Sequence, residues 1–128
     1  MFKKAGILTA IVAAIAMPVA AQAWAPLKIV NHTNLSSVVK VGATNICSNI
    51  LGDVGITRPG QSNVVPDAIL FANCISSPEN CVATVYLNAN ADCNSPPVGT
   101  VTYSLYRGVI SASNGRVTVM SPAEVDLN

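Results

Sequence analysis

The chain has 128 residues, of which 51% are hydrophobic and 10% are charged, and its formal net charge at pH 7 is +1. This length corresponds to one ordinary domain that can bury a single core. No cluster of like charges is present, which argues against nucleic acid or an anionic membrane surface as a partner.

Residues 1–23 have the pattern of a cleaved export signal. Two lysines precede an uncharged apolar run over residues 5–16, and Ala21-Gln22-Ala23 forms a small-x-small cleavage site. The run is shorter than the roughly 20 residues of a membrane span, so we expect release without transmembrane anchoring. The mature domain, residues 24–128, would carry five Lys and Arg residues and six Asp and Glu residues, a net charge of −1. The sequence therefore predicts an exported protein, either periplasmic or fully secreted, and the compact, alanine-rich signal is typical of bacteria.

The mature part is predicted to be all-β, because Val, Ile, Thr and Tyr recur in short runs that Gly, Pro, Asn and Ser interrupt. The predicted strands cover residues 27–30, 37–41, 52–57, 62–65, 68–72, 82–87 and 100–105, with one more on each side of Asn114-Gly115. Short strands at this density in about 105 residues fit a small antiparallel two-sheet β-sandwich, with a small β-barrel as the alternative.

Turn signals between these runs predict three hairpins. The polar residues 31–36 would join the first two strands, and Pro59-Gly60 would form the turn between the next two. Asn114-Gly115 is typical of a type I′ turn, and pairing about this turn would place Ile110 opposite Val119.

All four cysteines lie in the mature part: Cys47, Cys74, Cys81 and Cys93. An even number in a short exported chain predicts two disulfides. Spacing alone leaves three connectivities open, but the short loop from Cys74 to Cys81 favours local closure, and we prefer that pairing together with Cys47–Cys93. A zinc site is the alternative, although the sequence has no CxxC pair.

His32 is the only histidine and the first candidate for a general base. It lies in an Asn- and Thr-rich segment without a recognisable nucleophile motif, so a surface position is favoured and no catalytic residue is assigned.

Oxygen-bearing side chains recur at every second position after residue 87, as at the start of a calcium loop. The candidate ligands are Asn88, Asn90, Asp92 and Asn94. Only one of them is a carboxylate, and cysteine stands where an EF-hand has glycine. The pattern indicates weak calcium binding at most, and the alternative is an Asn-rich loop held by a disulfide. No other cofactor is expected.

The sequence favours a non-enzymatic β-sandwich that acts by binding a protein or glycan, which could belong to a host or a cell surface. Binding residues usually lie on loops held by rigid strands. The binding-loop candidates are Ser76, Glu79 and Asn80 in one loop and Asn90, Asp92 and Asn94 in the other. Two alternatives stay open: a fibre subunit that self-associates by strand pairing, and a small secreted hydrolase that uses His32 with a nearby acid.

Overall fold

The structure is a computed structural model that describes residues 26–42, 44–113 and 115–128. The predicted export signal, Trp24 and Asn114 lie outside these residues. The elements are β1 (Leu27–Asn31), β2 (Ser36–Val41), a 3₁₀ segment (Ser48–Gly55), β3 (Ser62–Val65), α1 (Asp67–Cys74), β4 (Cys81–Asn88), β5 (Gly99–Ser104), β6 (Gly108–Ala112), β7 (Val117–Ser121) and β8 (Glu124–Leu127).

The described strands form two four-stranded sheets, with the order β3-β1-β8-β7 in sheet I and β2-β4-β5-β6 in sheet II. The predicted two-sheet sandwich is confirmed. Neighbouring strands are antiparallel except for β1 and β8, which are parallel. This one parallel pair departs from the antiparallel pattern that we expected, because β8 inserts between β1 and β7 rather than adding at an edge.

The core lies between the two sheets and follows the period-2 alternation of the strands. The inward-facing side chains include Leu27, Ile29, Ala83, Val85, Val101, Tyr103, Val125 and Leu127, all of which are buried. Helix α1 closes one end of the sandwich with Leu70 and Cys74, which are also buried. We call this the helix end and the opposite end the loop end.

Two of the predicted strands are wrong. Residues 68–72 belong to α1, which begins after Pro66, whose carbonyl accepts bonds from the amides of Ile69 and Leu70. A short apolar run does not separate a buried strand from one side of a helix by periodicity, which explains the error. Residues 52–57 mostly belong to the 3₁₀ segment, which Gly52 interrupts with a left-handed φ of 67°.

The predicted hairpins are also wrong, because the strands of each pair do not bond to each other. β1 lies in sheet I and β2 in sheet II, and the same holds for β7 and β6. Ile110 therefore does not pair with Val119, since β6 pairs with β5 and β7 with β8. The turn at Arg58–Gln61 is present, with a bond from the Gln61 amide to the Arg58 carbonyl, but it leads into β3, which pairs with β1.

Both predicted disulfides are present, in the preferred pairing. Cys74–Cys81 joins the end of α1 to the start of β4 at the helix end. Cys47–Cys93 joins the chain before the 3₁₀ segment to the loop after β4. It belongs to a small second core on the outer face of sheet II, with Val38, Tyr86, Ala91 and Ile56.

Candidate functional site

The chain after β2 turns back along the free edge of that strand. We call residues 44–57 the cover segment. The amide of Val39 donates to Ser48 Oγ over 2.9 Å, and this hydroxyl donates to the carbonyl of Gly55 over 2.6 Å. Ser37 and Thr57 exchange two backbone bonds of 2.8 and 2.9 Å. The cover segment therefore occupies the hydrogen-bonding edge of β2.

Two glycines allow this close approach. Gly42 has a φ of 67°, and a Cβ at this position would collide with the carbonyl oxygen of Asn73 in α1. A Cβ on Gly55 would collide with the carbonyl of Ser48. Side chains at these positions would push the cover segment away from α1 or from itself.

An apolar crevice of about 260 Å³ lies between the cover segment, β2 and α1. Its walls include Val39 and Val41 from β2, Ile46 and Leu51 from the cover segment, and Ile69 from α1. None of the lining residues is charged. Each of its hydroxyl and amide side chains already donates one bond within the chain: Thr44 Oγ1 to the carbonyl of Val41, Ser48 Oγ to that of Gly55, and Asn73 Nδ2 to that of Ile69. The crevice therefore suits an apolar group better than a charged or strongly polar one.

The rim of the crevice exposes large apolar side chains. Ile50 is 73% exposed, Ile46 is 58% exposed, and Leu51 is also exposed. Val54, farther along the cover segment and outside the crevice lining, is exposed as well. Single exposed apolar residues are ordinary, but four within nine positions beside a crevice form a patch typical of an interaction site. The cover segment is held by backbone bonds, Ser48 and the Cys47–Cys93 disulfide, so these side chains are not needed to anchor it.

The two predicted binding loops lie at opposite ends of the sandwich. The loop with Ser76, Glu79 and Asn80 precedes β4 at the helix end, where Glu79 pairs with Arg107 over 3.1 Å. The loop with Asn90, Asp92 and Asn94 follows β4 at the loop end. The eight residues of β4 span about 23 Å, so the two loops do not form one site.

The calcium candidates are mainly engaged within their own loop. Asn88 Nδ2 donates to the carbonyl of Asp92, and Asn88 Oδ1 accepts from its amide. Asp92 Oδ1 accepts from the amide of Asn94, while Asn90 is exposed. In residues 26–42, 44–113 and 115–128, no group of three His, Cys, Asp or Glu residues could hold a metal ion. Calcium binding by this loop stays a prediction.

His32 lies beside an acid on the outer face of sheet I. Its Nε2 atom is 2.9 Å from Asp126 Oδ2, with the histidine half exposed and the aspartate mostly buried. The second oxygen of Asp126 is buried without a partner in the part of the chain described. A hydrogen bond with Asp126 raises the pKa of Glu124, and desolvation and the charge of Asp126 add to this shift.

This arrangement places an acid beside an imidazole. Among the described residues, the ring of His32 hydrogen-bonds with Asp126 and with no hydroxyl group. The structure therefore shows an acid beside His32, as the hydrolase alternative requires, but in the part of the chain that it describes it does not show a nucleophile bonded to the histidine.

Comparison with known proteins identifies the family. A family model described as "T2SS substrate NttC" matches residues 1–128, the whole chain. The chain belongs to this family of type II secretion system substrates. It is therefore exported and secreted by way of the periplasm, as the sequence predicts for its localisation.

One solved structure supports the fold. The chain is similar to the crystal structure of the Legionella pneumophila type II secretion system substrate NttC, with a TM-score of 0.63 and 23% identity. The similarity covers 81% of this chain and 96% of that one. No curated protein matches the chain significantly. In the described residues, no helix has the length and hydrophobicity needed to cross a membrane.

The crevice was not predicted from the sequence, because residues 52–57 were predicted as a strand and residues 44–51 were assigned to no element. A signal was available: Ile46, Ile50 and Val54 recur at intervals of four, which is a helical spacing and not a strand spacing. All three are exposed in the structure.

Proposed function

We propose that this chain is a secreted binding protein without catalytic activity, and that the apolar crevice beside the cover segment is its binding site. The observation that carries the proposal is the exposed apolar rim of Ile46, Ile50 and Leu51 around an uncharged crevice. A protein that works in water gains nothing in its own stability from leaving this patch exposed, whereas a partner would gain from covering it.

The chemistry of the lining defines the group that would bind. A charged group would lose its hydration without finding an opposite charge, and the polar lining groups are already bonded within the chain. The occupant would be an aliphatic or aromatic side chain of a protein partner, or a short alkyl chain of a lipid or glycolipid.

The predicted polar loops have a secondary place in this proposal. Each could contribute only to its own end of the sandwich, and calcium would have to compete with the internal bonds of Asn88 and Asp92. We further propose that the mature protein begins at Trp24, which the intact mass of the secreted form would test.

The test is a titration of the secreted protein with Nile red, a neutral apolar dye whose fluorescence rises when it leaves water. We expect saturable binding that Leu51→Ser weakens about tenfold, which corresponds to roughly 1.4 kcal/mol. Val82→Ser is a matched control on the outer face of β4, since Leu51 and Val82 are both 41% exposed. The control should bind the dye as the wild type does.

Three results would count against the proposed site. These are no saturable binding to the wild type, an unchanged affinity in Leu51→Ser, or an equal loss in Val82→Ser. Circular dichroism of both variants separates loss of binding from loss of folding.

A further inference from the structure

We propose that the free edge of β7 pairs antiparallel with β7 of a second copy, so that sheet I continues across a dimer. This inference goes beyond the proposed function and does not depend on it, because the crevice lies beside β2 on the opposite side of the sandwich.

The four edge strands differ in how their backbone groups are satisfied. The cover segment occupies the edge of β2. On β6, the outward amide of Val109 donates to the carbonyl of Pro122 over 2.7 Å. β3 has only four residues, and the side chain of Asn63 donates to the carbonyls of Val54 and Ile56, so that the 3₁₀ segment lies beside this strand. Among the described residues, however, no backbone bond reaches the outward groups of β3. Short or covered edges are how natural sheets avoid pairing with other chains.

The edge of β7 lacks such protection. Asn128 donates its amide to the carbonyl of Arg116, so Arg116 and Thr118 direct their backbone groups toward β8. By alternation, Val117 and Val119 direct theirs away from it. Within residues 26–42, 44–113 and 115–128, no hydrogen bond satisfies these outward groups.

The side chains at this edge also suit pairing. β7 has no charged residue or proline, and its Met120 is 57% exposed beside Val119. Ile110, on the neighbouring β6, is exposed as well. A register shift between Val119 and Ser121 limits the regular edge, so a partner strand would meet only a few residues.

A second copy fits this edge because the strand is complementary to itself. A two-fold axis at Val119 places the outward groups of the two Val119 residues opposite each other and Val117 opposite the partner's Ser121. No like charges meet in this register. Arg116 instead comes next to the partner's turn at residues 122–124, which ends at Glu124. The contact is smaller than a standard interface, so we expect a dissociation constant of roughly 10 μM to 1 mM.

The test is sedimentation equilibrium of the secreted protein from about 10 μM to 1 mM, a range that brackets the expected constant. We expect a reversible monomer–dimer equilibrium. Val119→Lys would place two lysines against each other and should weaken the dimer at least tenfold. Val119→Pro removes an amide that faces away from β8 and should abolish the dimer while the domain stays folded. Val82→Lys, on the central strand β4, is the control and should dimerise normally.

The outcomes separate the candidate partners. A wild type that stays monomeric over the whole range would overturn the proposal. So would association that survives both changes at Val119, or that Leu51→Ser abolishes, because the contact would then lie elsewhere. If the wild type stays monomeric but binds a synthetic peptide of residues 116–122, the dimer is ruled out. The edge of β7 would then pair with an extended segment of another protein.

Discussion

The edge strands β2 and β7, on opposite sides of the sandwich, differ in whether their outward backbone groups have hydrogen-bond partners. On the β2 side, the cover segment supplies partners for Ser37 and Val39, whereas on the β7 side the backbone of Val117 and Val119 faces outward. The covered edge is held by hydrogen bonds and a disulfide, and the covering chain leaves its own apolar side chains exposed. Protection against strand pairing thus creates an apolar patch, while the bare edge keeps its backbone available. The two sides therefore present different kinds of binding surface.

The largest expected effect comes from releasing the cover segment. The double change Cys47→Ser and Cys93→Ser removes a link across 46 residues, and we expect it to lower the free energy of unfolding by about 4 kcal/mol. The matched double change at Cys74 and Cys81 opens a link across only seven residues and should cost about 2.5 kcal/mol. Urea unfolding of both variants measures the difference. A larger loss at Cys74 and Cys81 would contradict the anchoring role of Cys47–Cys93.

Asn31 holds the end of the cover segment at Thr57. Asn31→Ala should lower the free energy of unfolding by about 2 to 3 kcal/mol. The side chain is fully buried, and its Nδ2 donates to the carbonyls of Leu35 and Thr57 over 2.7 and 3.0 Å. Its Oδ1 accepts two bonds from Thr33. Thermal or urea unfolding measures the loss, and Asn90→Ala, at an exposed position, should be nearly neutral. Equal effects of the two changes would show that these bonds do not hold the covered side.

Ser48→Ala removes the hydroxyl that links the cover segment to β2, and it should lower the free energy of unfolding by about 1 to 2 kcal/mol. The change leaves the amide of Val39 and the carbonyl of Gly55 without their partner. Hydrogen exchange at the Val39 amide should accelerate, while exchange in the central strand β4 should change only with global stability. Ser76→Ala, in an exposed loop, is the control. Unchanged protection of Val39 would mean that the cover does not depend on this hydroxyl.

The smallest expected effect is a pH dependence next to the bare edge. The hydrogen bond with Asp126 raises the pKa of Glu124 above its ordinary value of 4.5. Folding therefore favours the protonated form, and this contribution is complete below pH 4.5 and is lost as the pH rises through the raised pKa. Comparison of the wild type with Glu124→Gln from pH 4 to 7 should show a shallow difference of this sign. The control Glu79→Gln should not reproduce this difference. A difference of the opposite sign would contradict the raised pKa of Glu124.

The sequence predicted what depends on local periodicity and covalent chemistry. Alternation over residues 100–105 located β5, and the short spacing of Cys74 and Cys81 favoured the disulfide that the structure contains. It did not predict which strands pair. Asn114-Gly115 indicates where the chain reverses, but whether the next strand joins the same sheet depends on long-range packing, and here β7 enters sheet I beside β8.

The candidate site was less accessible to prediction for the same reason. The binding-loop candidates were chosen by composition, which cannot show that β4 separates the two loops. The pair of His32 and Asp126 joins residues 94 positions apart, through the parallel pairing of β1 and β8. The crevice needs β2, the cover segment and α1 together, and α1 was itself predicted as a strand.

The most direct test of the binding account is a residue-resolved NMR titration of the secreted protein with decanol, a neutral alkyl probe. The account predicts saturable amide shifts confined to residues 44–51 and 69–73, with β7 and the loops of residues 75–80 and 89–98 unaffected. Shifts centred on either loop or on β7, or no saturable shifts at all, would contradict it.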